Sequence, residues 1–136
     1  MLLSLLVIAL QGAALSPSIE CSRANAAPCA TSIFFDSGEG SAIRPDWTGN
    51  LDLVAERLRG GGHARIDAFT DRSGSSAANR RIAERRAASV RSALLQRGVQ
   101  PQALAIVAHG EADPLVPTAD GVREPQNRRV DLTVIP

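Results

Sequence analysis

Residues 75–98, SSAANRRIAERRAASVRSALLQRG, are the segment that most restricts how this chain can fold. Apolar side chains recur every three to four residues along it and Gly98 closes it, which is the pattern of a long amphipathic helix. At 100° per residue the apolar positions form one stripe: Ile82, Ala83, Ala87, Val90, Ala93 and Leu94. The stripe predicts a helix that packs with one face on the rest of the domain.

Arg86 lies in the middle of this stripe, four residues after Ile82 and four before Val90. A desolvated charge is costly unless an opposite charge or several acceptors meet it, so an anionic group is expected beside Arg86. Asn79 lies on the same stripe, two turns earlier. The other charged residues lie outside the stripe: Arg81, Glu84 and Arg85 point away from it, and Arg80 and Arg91 are at its flanks.

Strand-like and helix-like segments alternate along the remaining chain. The strand patterns are TSIFFD (31–36), HARIDAF (63–69), ALAIVAH (103–109) and RRVDLTVI (128–135). A second helix begins at Pro45 and ends at the glycines 60–62. This order, βαβαββ, predicts an α+β fold with a mixed sheet and both main helices packed on one face.

The connection at residues 110–127 is longer than the ~12–15 residues usual for unstructured loops. It contains three prolines. It is interpreted either as a functional flap or as a surface excursion that the prolines stiffen.

Residues 1–26 are interpreted as an export signal, or as a short hydrophobic segment with a linker, before a domain at residues 27–136. The apolar stretch Leu2–Leu15 is shorter than the ~20 residues of a membrane-spanning helix and matches the core of a signal peptide. The basic residues that usually precede such a core are lacking. Cleavage after Ala14 or after Ala26 satisfies the small-residue rule, and an uncleaved anchor is the alternative. The domain is therefore expected to be exported.

Cys21 and Cys29 are the only cysteines. In an exported chain they are most simply a disulfide that closes a small loop. A metal site would need further ligands, and the sequence around the two cysteines does not supply a complete set. No metal and no cofactor are therefore expected.

Asp71 is the anion that the sequence offers to Arg86. It follows the strand HARIDAF, and a Ser-Gly-Ser-Ser turn leads from it into the helix of Arg86. Ligands collect at the carboxyl ends of strands, against helix N-termini. Asp71 and Arg86 can either pair with each other or hold a zwitterion between them, with Asp71 accepting from an ammonium and Arg86 binding a carboxylate.

Composition and motifs argue against three other classes of function. Two histidines without metal-ligand spacing or a neighbouring nucleophile do not support hydrolytic catalysis, so an enzyme is not expected. A net charge of +1 and an arginine-rich segment without interleaved aromatic residues do not support nucleic-acid binding. A proton channel would need an ionisable group within a membrane-spanning helix. Leu2–Leu15 is too short for such a helix and contains no acidic residue.

Five blocks of the sequence resemble the OmpA-like peptidoglycan-binding domain of outer-membrane protein tails, peptidoglycan-associated lipoproteins and flagellar stator proteins. The blocks are FFDSG, TDRSG, NRRIAERRAASV, GE at 110–111 and NRRVD at 127–131, within residues 31–136. The resemblance implies non-covalent binding of the peptidoglycan stem peptide through meso-diaminopimelate. For an exported domain it also implies a location in the periplasm of a Gram-negative bacterium, with association to the envelope. It implies that Asp71 and Arg86 hold the ammonium and carboxylate of that residue, and that Asp36 and Asn79 line the same groove.

The resemblance also implies supporting roles. Phe69, Ile82 and His109 are candidate pocket-wall residues, and Arg129 and Asn127 are expected to be structural. Two blocks depart from the family pattern: Ala68-Phe69 replaces Gly-His or Gly-Tyr before Thr-Asp, and His109 stands where Tyr or Met is common. The alternative function is a periplasmic scaffold that has lost wall affinity and binds an envelope protein instead.

Overall fold

Four strands form one sheet in the computed structural model, which describes residues 20–21, 28–38 and 40–136. The strands are β1 (Cys29–Phe34), β2 (His63–Phe69), β3 (Leu104–Gly110) and β4 (Arg129–Ile135). The helices are α1 (Thr48–Arg59) and α2 (Ser76–Gln96). Short 3-10 turns occupy Pro45–Trp47, Pro101–Ala103 and Pro125–Asn127, each begun by a proline at a position where its missing N–H is not needed.

The sheet is mixed, with the strand order β1-β4-β2-β3. β4 lies between β1 and β2 and is antiparallel to both, whereas β2 and β3 are parallel. The α+β fold predicted from the sequence is confirmed. The predicted second helix differs in one detail, because its first turn at Pro45–Trp47 is a 3-10 turn and α1 begins at Thr48.

The core lies between the helices and one face of the sheet. Alternate residues of β2 and β4 face it, and from the helices it receives Leu51, Val54, Ala83, Ala87, Val90 and Leu94. The stripe predicted for α2 is buried apart from Ala93, which is only partly buried. Arg81, Glu84 and Arg85 are exposed, as predicted.

The predicted disulfide between Cys21 and Cys29 is present, and both cysteines are buried in the core cluster. The Cys21 N–H also donates to the Ala30 carbonyl at 3.1 Å. The interpretation of residues 1–26 as an export signal falls, apart from residues 20 and 21, outside the described part of the chain. Within that part, no helix has the length and apolarity needed to cross a bilayer.

Candidate functional site

Asp71 lies two residues after the end of β2 and is held by four hydrogen bonds. Its Oδ1 accepts from the Ser73 backbone N–H at 3.1 Å and from the Ser73 hydroxyl at 2.6 Å. Its Oδ2 accepts from Arg128 Nη1 at 3.1 Å and from the Glu124 N–H at 3.3 Å. The first pair arises locally, because the turn after Asp71 folds back on the carboxylate. The second pair comes from the distant end of the long loop.

These donors decide the charge of Asp71. The residue is only 4% exposed, and burial acts to raise its pKa. The hydrogen bonds from Ser73, Arg128 and Glu124 outweigh burial and lower the pKa of Asp71 below its ordinary value. Asp71 is therefore a buried carboxylate that is ionised at neutral pH.

Arg86 is 1% exposed, as its place in the apolar stripe of α2 predicts. Its guanidinium is satisfied by backbone carbonyls of the loop after β1. Nε donates to Gly40 O at 3.0 Å, and Nη2 donates to Asp36 O at 3.1 Å and Gly38 O at 3.0 Å. The guanidinium carbon also lies 5.2 Å from the centroid of the Phe35 ring. The sequence predicted an anionic group beside Arg86. Backbone carbonyls accept its hydrogen bonds instead, because several neutral acceptors can also compensate a buried cation.

Burial, together with repulsion from Arg128, lowers the pKa of Arg86 to about 10, and attraction by Asp71 acts in the opposite direction. The guanidinium stays charged at neutral pH. Asp71 thus favours the charged form of Arg86, yet no ion pair joins these two described residues. Of the two arrangements that the sequence allowed, direct pairing is excluded in this conformation. A ligand held between the two side chains remains a hypothesis.

Arg128 is the residue of this site that sequence reasoning missed. Its Nε donates to Phe35 O at 3.1 Å and its Nη1 to Asp71, so it links the end of β1 to the end of β2. A signal was present in the strand pattern. Arg128 is two residues before Val130, so strand alternation puts it on the same side as the core residues of β4. Arg129 belongs to the opposite face.

Asp36 contributes its backbone rather than its carboxylate. The Asp36 carbonyl accepts from Arg86, while the side chain is 75% exposed and pairs with Arg44 at 3.3 Å. A groove-lining role for the carboxylate, expected from the resemblance, therefore requires a different rotamer or a ligand that reaches the surface.

Asn79 is buried in the first turns of α2, beside Glu111. Its Nδ2 donates to Gly74 O at 3.2 Å and to Glu111 Oε2 at 3.4 Å, and the Ser76 hydroxyl also donates to the Glu111 carboxylate. Glu111 follows β3 and so brings a negative charge to the N-terminus of α2, where such a charge is favourable. The Gly110-Glu111 block is visible in the sequence, but its contact with Asn79 results from the tertiary structure.

Phe69 and His109 lie on the sheet face that the helices leave uncovered, as strand alternation requires. Their rings stack with centroids 4.5 Å apart, and His109 Nε2 is 2.8 Å from Asp67 Oδ1. On the same face, Arg129 lies 4.0 Å from the Phe69 centroid and donates to Asp131 at 3.2 Å.

The other two residues selected from the sequence have simpler surroundings. Ile82 is buried on α2, three residues after Asn79 and four before Arg86. The side-chain amide of Asn127 accepts from the Val116 N–H and donates to the Val116 carbonyl, both at 2.8 Å. Asn127 thereby holds the long loop closed on itself.

The pattern of the OmpA family matches residues 34–128. The peptidoglycan-associated lipoprotein of Pseudomonas aeruginosa is 33% identical over 104 residues, which cover 76% of this chain and 62% of that protein. The peptidoglycan-binding protein ArfA of Mycobacterium bovis is 32% identical over 98 residues, 71% of this chain and 30% of that protein. This chain therefore spans less than two thirds of either relative.

A solved structure agrees with these sequence relatives. The crystal structure of the peptidoglycan-associated lipoprotein from Burkholderia pseudomallei has a TM-score of 0.70 and 29% identity, over 76% of this chain and 89% of that one. The family match includes the end of β1, Asp71, all of α2 and Arg128. Since it spans well over half of the residues, the chain belongs to the OmpA family.

Proposed function

We propose that this domain binds peptidoglycan without cutting it, through the meso-diaminopimelate of the stem peptide, and so anchors or positions its carrier at the cell wall. The observation that carries the proposal is the pair of buried charges at one end of the sheet. Asp71 and Arg86 are 4% and 1% exposed, are oppositely charged at neutral pH and do not pair with each other. A zwitterion matches such an arrangement.

The relatives support peptidoglycan as the ligand, since two of them carry peptidoglycan in their names. A cell-wall ligand also agrees with a periplasmic location, which we propose for this chain. The disulfide between Cys21 and Cys29 is typical of an exported protein.

Arg128 gives the proposal a mechanistic detail. A carboxylate has about four lone-pair positions, and the four donors to Asp71 already use them. An arriving ammonium must therefore displace a donor. Arg128 is the flexible cation among the four, and its Nε bond to Phe35 O keeps it nearby. After displacement its free Nη groups can turn to the ligand carboxylate beside Arg86.

Cosedimentation with purified diaminopimelate-type sacculi tests the proposal. Wild type is expected to pellet, whereas Asp71→Ala and Arg86→Ala lose most of this binding, because each leaves one end of the zwitterion unpaired. Arg85→Ala is the matched control, since Arg85 is exposed on the same helix and should pellet like wild type. Circular dichroism of each variant shows whether the fold is retained. Arg86→Lys keeps the charge but not the three carbonyl contacts, and so provides a milder change.

Equal pelleting of wild type and both site variants would rule out the assignment of Asp71 and Arg86. No pelleting of folded wild type would instead support the alternative function, a scaffold that binds an envelope protein.

A further inference from the structure

A cleft of about 220 Å³ opens beside the Asp71–Arg128 pair. The rings of Phe34 and Trp47 form part of its wall, with centroids 5.6 Å apart and planes at 47°. Arg128, whose guanidinium donates to Asp71, also lines the cleft, and so does Asp36, whose carbonyl accepts from Arg86. The cleft therefore adjoins the proposed diaminopimelate site and shares Arg128 with it.

The charged groups of this cleft already have partners. Arg44 donates to the carboxylates of Asp36 at 3.3 Å and Asp46 at 3.0 Å, and Arg128 donates to Asp71. Two cations and one carboxylate line the cleft, and two further carboxylates outside the lining also pair with these cations, which leaves no excess positive charge among the five groups to select a carboxylate ligand. The Arg44 and Asp36 side chains are 53% and 75% exposed, so both hydrogen-bond donors and acceptors are accessible. A neutral ligand rich in hydroxyl groups suits this surface best.

We propose that this cleft binds a sugar ring of the peptidoglycan glycan strand, which deepens the proposed function and rests on it. The C–H groups on one face of a pyranose are weakly positive, and they pack favourably on the electron-rich face of an indole ring. Hydroxyl groups at the rim of the sugar can then bond to Arg44 and Asp36. The cleft volume is below the ~300–1,000 Å³ of pockets for drug-sized ligands, which limits the occupant to about one ring.

The covalent structure of peptidoglycan agrees with this placement. Two amino-acid residues separate diaminopimelate from the sugar-bearing end of the stem peptide. Two extended α-linked residues span about 7 Å, and the linkage of D-Glu through its γ-carboxyl lengthens this span. A sugar is thus within reach of a cleft that shares Arg128 with the diaminopimelate site.

Two soluble ligands test the inference: the tripeptide L-Ala–D-Glu–meso-diaminopimelate, and the same tripeptide attached to its disaccharide. An aromatic stacking contact is worth a factor of about 2–10 in affinity, so wild type should bind the disaccharide ligand more tightly by that factor in calorimetry. Trp47 is the only tryptophan of the chain, so its fluorescence reports directly on the cleft. The disaccharide ligand should change its emission more than the tripeptide does, because the tripeptide acts on the cleft only through Arg128.

Variants separate the sugar contact from the peptide contact. Trp47→Ala should lose the sugar-dependent gain and keep its affinity for the tripeptide, and Trp47→Phe should retain part of the gain. Because Trp47 also packs against the core, Arg44→Gln provides a second change at an exposed side chain, and it should reduce the gain as well. Asp71→Ala should lose both ligands.

If wild type binds the two ligands with equal affinity and equal change in emission, the sugar site would be overturned and the proposed function would stand. The sugar site would also be overturned if Trp47→Ala still bound the disaccharide ligand more tightly than the tripeptide by the same factor as wild type. If wild type binds neither ligand, the proposed function and this inference both fail.

Discussion

At the scale of single residues, the site depends on side chains whose charges are buried but compensated by different means. Asp71 is compensated by four donors, one of them a cation, and Arg86 by three backbone carbonyls and an aromatic ring. Neither charge needs the other in order to remain buried. A ligand that carries two opposite charges therefore does not have to break an ion pair between them, although its ammonium must displace one of the four donors to Asp71.

Asp71→Asn tests the charge of the carboxylate through stability. Hydrogen bonds to charged groups are worth about 1.5–3 kcal/mol, so at pH 7 the variant should be less stable by about that amount. The pKa of Asp71 is lowered in the folded protein, so its stabilising contribution is present at neutral pH and is lost as the pH falls below ~3.9 and through the lowered pKa. Urea unfolding followed by circular dichroism at pH 7, 5 and 3 measures this.

Asp113→Asn is the control for that series, because Asp113 is exposed on the long loop. It should change stability little at any of the three pH values. A difference between Asp71→Asn and wild type that grows on acidification would contradict the predicted sign.

At the scale of elements, the close approach of α2 to the end of β3 positions Asn79 and Glu111. Gly110 ends β3 with φ +64°, and a Cβ built there would lie 3.3 Å from both Cα and N of Arg80. The absence of a side chain at Gly110 thus sets how near the first turns of α2 can come. Glu111 follows directly and reaches Asn79 from that position.

Gly110→Ala and Gly98→Ala form a matched pair that separates this contact from backbone strain. Gly98 has φ +87° but open space around its Cβ position, so its substitution should cost only the left-handed penalty of about 1–2 kcal/mol. Gly110→Ala should cost more, because Arg80 must also shift. Unfolding free energies from urea titration make the comparison. Equal costs for the two variants would show that the α2–β3 contact tolerates a methyl group.

At the scale of the whole molecule, the disulfide joins residue 21 to the first strand of the sheet. Cys29 pairs with Val134 in the β1–β4 ladder, and Cys21 is buried in the same core cluster. The crosslink thus ties a segment that precedes the sheet to an edge strand. Its separation of eight residues makes it a short loop.

The double variant Cys21→Ala/Cys29→Ala should be less stable by about 2–3 kcal/mol, the value expected for closing so short a loop. Thermal unfolding with and without a reductant measures this effect. Reductant should destabilise wild type and leave the variant unchanged. The site lies at the other end of β1, so sacculus binding by the folded variant should be retained.

Much of the fold followed from local patterns. The strand His63–Phe69 and the buried face of α2 agree with the periodicities in the sequence. The burial of Arg86 followed as well, since its position on the helix wheel depends only on its neighbours. The roles of Arg128 and Glu111 did not, because their partners belong to other elements. The alternation of side chains along β4 predicts that Arg128 faces the helices, but it does not predict the contact with Asp71.

The division between the two kinds of information has a physical reason. Side-chain direction repeats with the local backbone geometry, so the sequence alone was enough to assign the faces of helices and strands and to single out Asp71 and Arg86. Partners depend on how distant segments meet. Arg86 bonds to carbonyls 46 to 50 positions away, and Arg128 reaches Asp71 across 57 positions. The paths of the loops and the order of the strands bring these groups together, and local periodicity does not encode either of them. The tertiary structure therefore determines that Asp71 binds Arg128 while Arg86 binds the loop after β1.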